Sequence, residues 1–482
     1  MKVLVANRSE IACRVFQTAK AMGMQTVAIY TAADSEARHL TFADERIEVE
    51  SYLSIEEIVR AAQKSGADLV HPGYGFLSER APFVRALEKA GIGFVGPTPE
   101  TMEALGEKIS AKKVAEKANV PTLPWAKVSD LQSCLVESKK IGFPLLLKAA
   151  AGGGGKGMRR VDSEAELEEA AESAAAEAIS SFGDGTLFIE KLLEKPRHIE
   201  VQVFGDGRGN GIHFYERECS LQRRHQKVWE EAPALFLSDE LKEKIHQAAV
   251  SFVETIGYRN AGTVEFLVEG HHASNPEFYF LEMNTRLQVE HPVTESITGV
   301  DLVWEQLSLA KDPKNYQLPV VPESRGHSIE VRLYAEDPSQ GFMPTPGTIT
   351  QLVWPLGEGI RIDSGIEVGQ TITTGFDPML AKLIVSASNR DRAVSKMRET
   401  LKLLGIVGIG TNQAYLQAIA DHPAVIEGKI DTEFLERELG SFDLNMNENQ
   451  KSLLFQLDQQ GWGVQLEKQS SSSFASPWRN HV

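Results

Sequence analysis

One segment of the chain places polar side chains at every second position. Between Phe280 and Pro292 these side chains are two carboxylates, two amides and a guanidinium, at Glu282, Asn284, Arg286, Gln288 and Glu290. An extended backbone would align all of them on one face. Because hard cations prefer oxygen ligands and arginine offers a planar fork of donors, this face is a candidate site for a metal ion and a small oxyanion. The same alternation is typical of a solvated strand face, so the segment alone leaves both interpretations open.

A glycine-rich run, Gly152–Gly157, lies between a predicted strand and a predicted helix. Its backbone could fold closely over phosphates with the N–H groups exposed, and a flexible linker is the alternative. It is not a Walker A loop, because Gly157 follows Lys156 where that motif requires Ser or Thr. Lys148, at the end of the preceding apolar strand, would either reach phosphate oxygens beside the loop or extend along the surface.

Two other stretches carry polar side chains at high density. From Gln222 to Lys227 these side chains run without an apolar break, which a dry core cannot hold without partners. An anion pocket and a basic surface patch both fit this stretch. In Arg197–Val203 polar and apolar residues alternate, so three polar residues share one face of either a cleft strand or a solvated strand: His198, Glu200 and Gln202.

Glu265 is the only acid in the apolar run Ala261–Val268, where an unpaired carboxylate would be costly. A basic neighbour or a divalent cation would each satisfy it. Glu282 repeats the arrangement on a predicted neighbouring strand. Two carboxylates so close would repel each other unless a divalent cation lay between them.

The N-terminal part of the chain alternates strand-like and helix-like segments, which predicts a parallel α/β sheet. The predicted strands are Val3–Ala6, Thr26–Tyr30, Ala67–His71 and Gly93–Gly96, and the predicted helices are Glu10–Met22, Ile55–Lys64 and Pro82–Ala90. Ligands of such sheets bind beyond the carboxyl ends of the strands. The loop His71–Glu79 falls there, and we predict that it is a cleft wall, with a tight Pro/Gly turn as the alternative.

Composition and pattern divide the chain into five predicted regions. They are an N-terminal α/β domain at 1–96, a helical connector at 97–122, a small mobile domain at 123–192, a large α+β domain at 193–441 and a polar, low-complexity tail at 442–482. Within the last three regions, strands are expected at Phe143–Lys148 and Thr186–Lys191, and helices at Ser163–Ser180, Asp239–Ile256, Gly299–Leu309 and Asp391–Leu404.

Composition excludes several classes of protein. The 482 residues are 42% hydrophobic and 24% charged, and no apolar run approaches the roughly 18 residues of a membrane helix. A formal net charge of −17 opposes general attraction to nucleic acid or anionic lipid. Three cysteines without paired spacing predict neither a disulfide framework nor a zinc site. The N-terminus reads at once as a strand and lacks a secretory signal, so we expect a cytoplasmic protein.

Taken together, five segments resemble biotin carboxylase, a family of the ATP-grasp superfamily. They are Ala6–Ala12, His71–Glu79, Lys148–Met158, Gln222–Lys227 and Glu282–Pro292. The resemblance covers residues 1–440, and this many motifs in one order are very specific. It implies a multidomain α/β and α+β fold with an N-terminal Rossmann-like parallel sheet domain, a central ATP-grasp lid and a C-terminal mixed α+β domain.

The resemblance also implies site residues. ATP would be contacted by Lys108, Lys148, Gly154, Gly155, Glu190, Lys191, Leu193, His198, Gln222, His225, Glu265 and Glu282. Mg²⁺ or Mn²⁺ would be held by Glu265, Glu282 and Asn284, and bicarbonate by Lys227, Arg286, Gln288 and Val289. The catalytic residues would be Arg286, Glu290, Lys227 and Arg332, with Glu290 as the general base and Arg332 facing biotin.

The implied activity is the carboxylation of biotin by ATP and bicarbonate through carboxyphosphate. It is the first half-reaction of an acyl-CoA carboxylase, with acetyl-CoA or propionyl-CoA as the leading acceptor and a link to fatty acid metabolism. The family attaches biotin to a lysine in an Ala-Met-Lys-Met setting, whereas the similar string Ala21–Met24 has Gly23 at that position. We therefore expect biotin on a separate carrier protein. The resemblance also implies a carboxyltransferase partner and a homodimer. Because longer relatives continue past a string like Ser476–Arg479, we expect the tail to dock the partner.

Two alternative functions also fit these motifs, and some positions depart from the family pattern. The alternatives are another ATP-grasp ligase, joining a carboxylate to an amine, and a non-catalytic ATP-binding scaffold subunit. The departures are Ser9 and Ala151, where the family usually has glycine, and Lys156, where it often has arginine. We expect Ser9 to tighten the first strand-to-helix turn and Ala151 to stiffen the lid.

Overall fold

A parallel five-stranded sheet opens the fold, in a computed structural model that describes residues 1–149, 158–182, 185–224, 226–270 and 275–442. The strands lie in the order β3-β2-β1-β4-β5. Their bounds are β1 Lys2–Val5, β2 Gln25–Tyr30, β3 Glu45–Glu48, β4 Leu69–His71 and β5 Gly93–Phe94, with helices α1 Ser9–Ala21, α2 Ile55–Ser65 and α3 Ala81–Lys89. The sheet has a buried apolar cluster on each face, as parallel sheets require, and it confirms the predicted parallel α/β order.

The turn from β1 to α1 is strained at Ser9. Its φ of +58° lies in the left-handed region, which favours glycine, the residue that the resembled family usually has here. Gly365 packs directly on this turn, because a Cβ at residue 365 would stand 1.9 Å from Oγ of Ser9. The first unit is therefore in contact with the C-terminal part of the chain at its ligand-facing edge.

Two connecting helices and a small antiparallel sheet follow. The helices are α4 Pro99–Gly106 and α5 Lys108–Lys117. The sheet has the order β6-β9-β7-β8, and its elements are β6 Trp125–Val128, α6 Leu131–Ile141, β7 Leu145–Ala149, β8 Met158–Val161, α7 Leu167–Phe182 and β9 Leu187–Lys191. The predicted strands and helix of this region are confirmed, while β6, α6 and β8 were not predicted. The glycine-rich run and Ala151 lie outside the described residues.

The largest sheet is antiparallel and has eight strands in the order β14-β13-β10-β11-β12-β15-β22-β20. Its first elements are β10 Arg197–Asp206, β11 Gly211–Arg223, β12 Gln226–Ala232, α8 Asp239–Thr255, β13 Arg259–Val268, β14 Phe278–Asn284, α9 His291–Thr298 and α10 Leu302–Lys311. In β10 the apolar residues Ile199, Val201 and Val203 pack into a core that includes α5 and α8. The alternate residues point to the opposite face, so β10 is buried on both faces and the solvated-strand interpretation is wrong.

The C-terminal part continues the same sheet through β15 and β22. Its elements are β15 His327–Tyr334, β16 Glu336–Asp337, β17 Met343–Pro344, β18 Gly347–Thr348, β19 Gln351–Val353, β20 Ile360–Ser364, β21 Thr371–Ile372, β22 Met379–Ala387, α11 Arg390–Leu403, β23 Gly405–Val407, α12 Gln413–Asp421, α13 Pro423–Ile426 and α14 Phe434–Leu439. A cluster of buried apolar residues joins β15 and β22 to α11 and α12. The three helices predicted after residue 193 are confirmed within a few residues, as α8, α10 and α11.

The extended backbone that would align the five polar residues from Glu282 to Glu290 does not continue to Glu290. β14 ends at Asn284, a turn follows, and α9 begins at His291. Pro292 explains the change, because proline favours the first turn of a helix. The residues after Asn284 must therefore reach the site by a loop and not along a strand.

Cys13, Cys134 and Cys219 are all buried, and none of them forms a disulfide bond. None of the described helices has both the length and the apolar composition that a bilayer crossing requires.

Replacing Ser9 with glycine is expected to stabilise the protein by about 1 kcal/mol, since a left-handed conformation costs a residue with a Cβ roughly 1–2 kcal/mol. The free energy of unfolding, measured with urea, checks this. As a control, Ala12→Gly in the interior of α1 should destabilise by about 1 kcal/mol. A loss of stability in Ser9→Gly would show that Ser9 is held by contacts that outweigh the strain.

Candidate active site

One face of the eight-stranded sheet carries a row of charged side chains. Across the strands, Glu282 of β14 lies opposite Glu265 of β13, which lies opposite Glu200 of β10, which lies opposite Arg217 of β11. Directly opposed side chains in antiparallel strands are close enough to interact, so the register itself brings three carboxylates and a guanidinium together. Arg217 is fully buried and donates to Gln202 (2.8 Å), Thr294 (3.0 Å) and Thr263 (3.1 Å) as well as to Glu200.

Lys227 of β12 lies at the centre of this face. Its Nζ donates to Glu200, to Glu265 at 2.9 Å and to Glu290 at 2.8 Å. Burial opposes the charge of Lys227, but the three carboxylates outweigh it and raise its pKa well above the ordinary value. The lysine is therefore permanently charged and joins three separate segments of the chain.

Glu290 is held between two cations. Besides Lys227, Nη2 of Arg332 donates to Oε2 of Glu290 at 3.0 Å, and Nε of Arg332 donates to Glu230 at 2.6 Å. Burial alone would raise the pKa of Glu290, but Lys227 and Arg332 hold it well below the ordinary value. Glu290 is consequently an ionised carboxylate in a water-excluded position, with a fixed orientation.

The loop after β14 returns its polar residues to the same place. Gln288 Nε2 and Asn284 Nδ2 both donate to Oε1 of Glu265, at 3.0 Å and 2.7 Å. Arg286 donates to Gln288 at 3.0 Å, to Asn284 at 3.1 Å and, through Nε, to Glu79 at 3.0 Å. The five alternating residues thus share one site, although by a turn and not by an extended strand.

Glu79 connects the loop His71–Glu79 to the segment that follows β14. Its carboxylate accepts from Arg286 and from the backbone N–H of Thr285, at 2.9 Å. The loop is also a tight turn, with Gly73 and Gly75 at positive φ and Asn7 donating to two of its carbonyl oxygens. The parallel sheet and the central sheet therefore meet at Arg286.

A second charged group lies beside the small sheet. Glu190 of β9 is buried and accepts from Lys148 of β7 and Lys112 of α5, and these lysines hold its pKa below the ordinary value against the effect of burial. Burial and the charge of Lys148 lower the pKa of Lys108. Lysines collected in this way suit a polyanion such as a nucleotide phosphate, and the surface-lysine interpretation of Lys148 is wrong.

Glu265 and Glu282 are cross-strand neighbours, and their carboxylates would repel each other unless a divalent cation lay between them. Partial desolvation by the surrounding protein and the like charge of Glu265 raise the pKa of Glu282, although solvent still reaches its side chain. The carboxylate of Glu282 makes no hydrogen bond or ion pair with another described residue. His198 Nε2 lies 2.8 Å from Oε2 of Glu265, and Gln222 lies 2.6 Å from the other nitrogen of His198. A hard cation at Glu282 would relieve the repulsion and keep oxygen ligands.

Not every predicted site residue joins these groups. The side chain of Lys191 donates to the carbonyl oxygens of Gly142 and Phe143, and Leu193 lies in the loop between β9 and β10. The carbonyl of Val289 accepts from Lys382 at 2.9 Å. Gly154, Gly155 and His225 lie outside the described residues. The stretch Gln222–Lys227 is divided, since Gln222 and Lys227 face the cluster and Arg224 is exposed.

Sequence reasoning missed Lys112, Glu200 and Arg217 as members of the site. Lys112 follows Lys108 by four positions, so helix periodicity could have placed both on one face. Glu200 shares the face of His198 by strand periodicity, a pattern that was seen without assigning Glu200 a role. For Arg217 the sequence holds no such signal, because its partners come from three other elements.

Three family models match successive parts of the chain. They are described as biotin carboxylase, N-terminal domain (residues 1–102), carbamoyl-phosphate synthase L chain, ATP binding domain (107–319) and biotin carboxylase C-terminal domain (330–437). The chain is 47% identical to a biotin carboxylase of Halalkalibacterium halodurans, covering 91% of this chain and 98% of that protein. It is 46% identical to the propionyl-CoA carboxylase alpha chain of Ruegeria pomeroyi, covering 91% of this chain and 68% of the relative.

Solved structures show the same likeness. A biotin carboxylase–β-γ-ATP complex from Campylobacter jejuni has a TM-score of 0.87 at 43% identity, covering 91% of this chain and 98% of that chain. The biotin carboxylase domain of 2-oxoglutarate carboxylase from Hydrogenobacter thermophilus, a dimer with MgADP, ADP and bicarbonate, has a TM-score of 0.87 at 44% identity, covering 92% and 99%. With this agreement of sequence, fold and charged face, the chain belongs to the biotin carboxylase family of ATP-dependent ligases.

Proposed function

We propose that this enzyme carboxylates biotin on a separate carrier protein, using ATP and bicarbonate and forming carboxyphosphate. The observation that supports this most directly is Glu290, an ionised carboxylate fixed between Lys227 and Arg332 and adjacent to the Arg286 group. A general base must lie within hydrogen-bond reach of the proton it removes. Glu290 has this position if bicarbonate binds to Lys227, Arg286, Gln288 and the backbone of Val289.

The surrounding cations determine how such a base could act. Bicarbonate is a poor nucleophile until its proton leaves. Lys227 and Arg332 lower the pKa of Glu290, and they would equally stabilise the second negative charge that develops on bicarbonate. The pKa values of bicarbonate, the acid, and of Glu290, the base, are therefore both lowered. Proton transfer between them remains feasible while the attacking oxygen of bicarbonate approaches the γ-phosphate.

The nucleotide would lie between the lysines of the small sheet and the carboxylates of the central sheet. Lys108, Lys148 and His198 would face its phosphates and, with Glu190, Gln222 and the glycine-rich run, complete its binding site. Mg²⁺ or Mn²⁺, held by Glu265, Glu282 and Asn284, would neutralise phosphate charge. Closure of the small sheet over this site would exclude water from the labile carboxyphosphate.

Arg332 is the candidate for the second step. Its guanidinium is fixed by Glu230 and Glu290 and therefore keeps one orientation. After carboxyphosphate gives CO₂ and phosphate, the phosphate can remove the proton from the ureido nitrogen of biotin. Arg332, with Arg286, would stabilise the enolate-like oxygen that results.

The final acceptor depends on a carboxyltransferase partner. We propose a short acyl-CoA, either acetyl-CoA or propionyl-CoA. The relative named propionyl-CoA carboxylase supports this choice, whereas others named for methylcrotonoyl-CoA and pyruvate show that one biotin carboxylase architecture serves several acceptors. The Hydrogenobacter dimer supports a homodimer, and the cytoplasmic location stays a prediction.

ATP hydrolysis with Mg²⁺ is expected to require bicarbonate and to rise when free biotin is added, measured as phosphate release. Glu290→Gln should lower this turnover by at least about 10²-fold, the contribution of a positioned base, while ATP binding measured by calorimetry persists. Glu254→Gln, at the exposed end of α8, is the matched control and should leave both unchanged. Hydrolysis indifferent to bicarbonate and biotin would contradict the function, and loss of ATP binding in Glu290→Gln would contradict the role of the base.

Deleting residues 443–482 is expected to abolish co-purification with the carboxyltransferase subunit and to leave carboxylation of free biotin intact. All proposed site residues precede this segment, and the truncation keeps Phe442, whose ring centroid lies 5.3 Å from that of Tyr415. Unchanged complex formation would show that docking uses another surface.

A further inference from the structure

Two buried glutamates lie beside Arg332 with unsatisfied oxygens. Glu230 of β12 and Glu330 of β15 are direct cross-strand partners, and both are 0% exposed. Oε1 of Glu230 accepts from Arg332, but Oε2 of Glu230 and both oxygens of Glu330 have no hydrogen-bond partner among the described residues. Cβ atoms of such pairs are about 4.5–5.5 Å apart, so the two side chains start side by side on one face of the sheet.

The cations near Glu330 have other partners. Strand periodicity places Arg332 on the same face, where its guanidinium is shared by Glu230 and Glu290. On β22, Ile384 lies opposite Glu330 and Lys382 lies opposite Arg332. Lys382 donates to the carbonyl of Val289 and lies 3.4 Å from Glu10 and 3.8 Å from Asp363.

Helix α9 packs on the same side and supplies no cation for Glu330. Its titratable residues are His291 and Glu295. Glu295 is paired with Arg14 and Arg361, at 2.7 Å and 2.8 Å. Burial, together with the positive charge of Lys382, lowers the pKa of His291 well below its ordinary value, so this imidazole is neutral.

An ionised Glu330 would therefore face an ionised Glu230 without a cation of its own. Two adjacent buried carboxylates cannot both ionise at low cost, and one of them takes up a proton. Burial, with the charge of Glu290, raises the pKa of Glu230 to about 7 despite Arg332. Burial, with the charges of Glu230 and Glu290, raises the pKa of Glu330 well above its ordinary value, although Lys382 and Arg332 oppose this. Because the guanidinium of Arg332 stabilises the negative charge of Glu230, the proton is bound by Glu330.

We propose that Glu330 is an uncharged carboxylic acid and a positioning residue, which donates its hydrogen to Oε2 of Glu230 so that Glu230 holds Arg332 against Glu290. The proposal rests on the proposed function only for the task of Arg332. Its structural content, a protonated buried acid at residue 330, can be tested without any catalysis.

Thermal unfolding between pH 5 and pH 8 is the first test. A folded-state pKa above the unfolded value means that folding must protonate Glu330, so the wild-type protein loses stability as pH rises towards that pKa. Glu330→Gln removes this loss, and its melting temperature should rise relative to that of the wild type as pH increases.

Glu231→Gln is the matched control. Glu231 lies next to Glu230 in β12 but on the other face, paired with His327 and Arg390. Burial opposes its charge, but the hydrogen bond from His327 and the charge of Arg390 lower the pKa of Glu231 to about 2. Glu231→Gln should therefore be less stable than the wild type at every pH from 5 to 8. The same behaviour in Glu330→Gln would show that Glu330 is ionised and would overturn the proposal.

Steady-state kinetics near neutral pH give the second test. Glu330→Gln keeps a donor for Glu230 and should retain most of the turnover. Glu330→Leu removes the donor, and Glu230→Gln removes the charged acceptor of Arg332. Each should lower kcat at least about tenfold, the effect of losing one hydrogen bond to a charged group, while the KM for ATP stays unchanged.

The outcomes separate the two proposals. Equal loss of kcat in Glu330→Gln and Glu330→Leu, or no loss in Glu330→Leu, would contradict the positioning role. If Glu330→Leu does not fold, the pH dependence of Glu330→Gln decides alone. If the wild-type enzyme shows no bicarbonate-dependent hydrolysis, the proposed function fails, while the unfolding experiment still decides whether Glu330 is protonated.

Discussion

The site depends on the balance of charge around Lys227. A lysine and three carboxylates could not be removed from water singly, because each would carry a desolvation penalty of several kcal/mol. Together with Arg217 on Glu200 and Arg332 on Glu290 they satisfy one another, and each carboxylate comes from a different segment: β10, β13 and the loop before α9. The opposite face of the sheet is apolar and packs on α8, which fixes the strands that carry the charges. The charged face is thus held in place by the apolar one.

This division between faces also explains what the sequence could reveal. Alternation in Arg197–Val203 and the lone acid at Glu265 are direct consequences of a sheet with one apolar and one charged face, so strand periodicity identified most of the carboxylates. It failed after Asn284, where a proline two residues beyond Glu290 starts a helix and the backbone turns. The side chains still reach the site because the loop is tied to Glu265 and Glu79 by hydrogen bonds, a long-range constraint that no local pattern contains.

Local patterns predicted the first unit of the fold, whereas pairing between distant segments could not be predicted from them. The βα alternation of the first unit is local, and its parallel sheet followed from element order alone. That β15, β22 and β20 extend the sheet of β10–β14 depends on pairing between residues far apart in sequence. The sequence pattern predicted one large α+β domain there but no strand order. Glu190 with Lys112 and Lys148 is a further case, since three elements meet at one carboxylate and only one of its lysines stood out in the sequence.

Substrate binding adds negative charge to a face whose cations already have partners. Bicarbonate and nucleotide phosphates together bring several charges, so accommodation requires either new cations or the release of existing ones. Mg²⁺ at Glu265 and Glu282 would supply new positive charge. Arg286 can be released from its partner Glu79. The side chain of Glu79 is 39% exposed, so water can solvate it when the guanidinium turns to an anion. Lys227 and Arg332 are bound to buried carboxylates and lack this freedom. If the proposed function holds, Arg286 therefore moves to bind bicarbonate, whereas Lys227 and Arg332 keep their positions and fix the orientation of Glu290, the base.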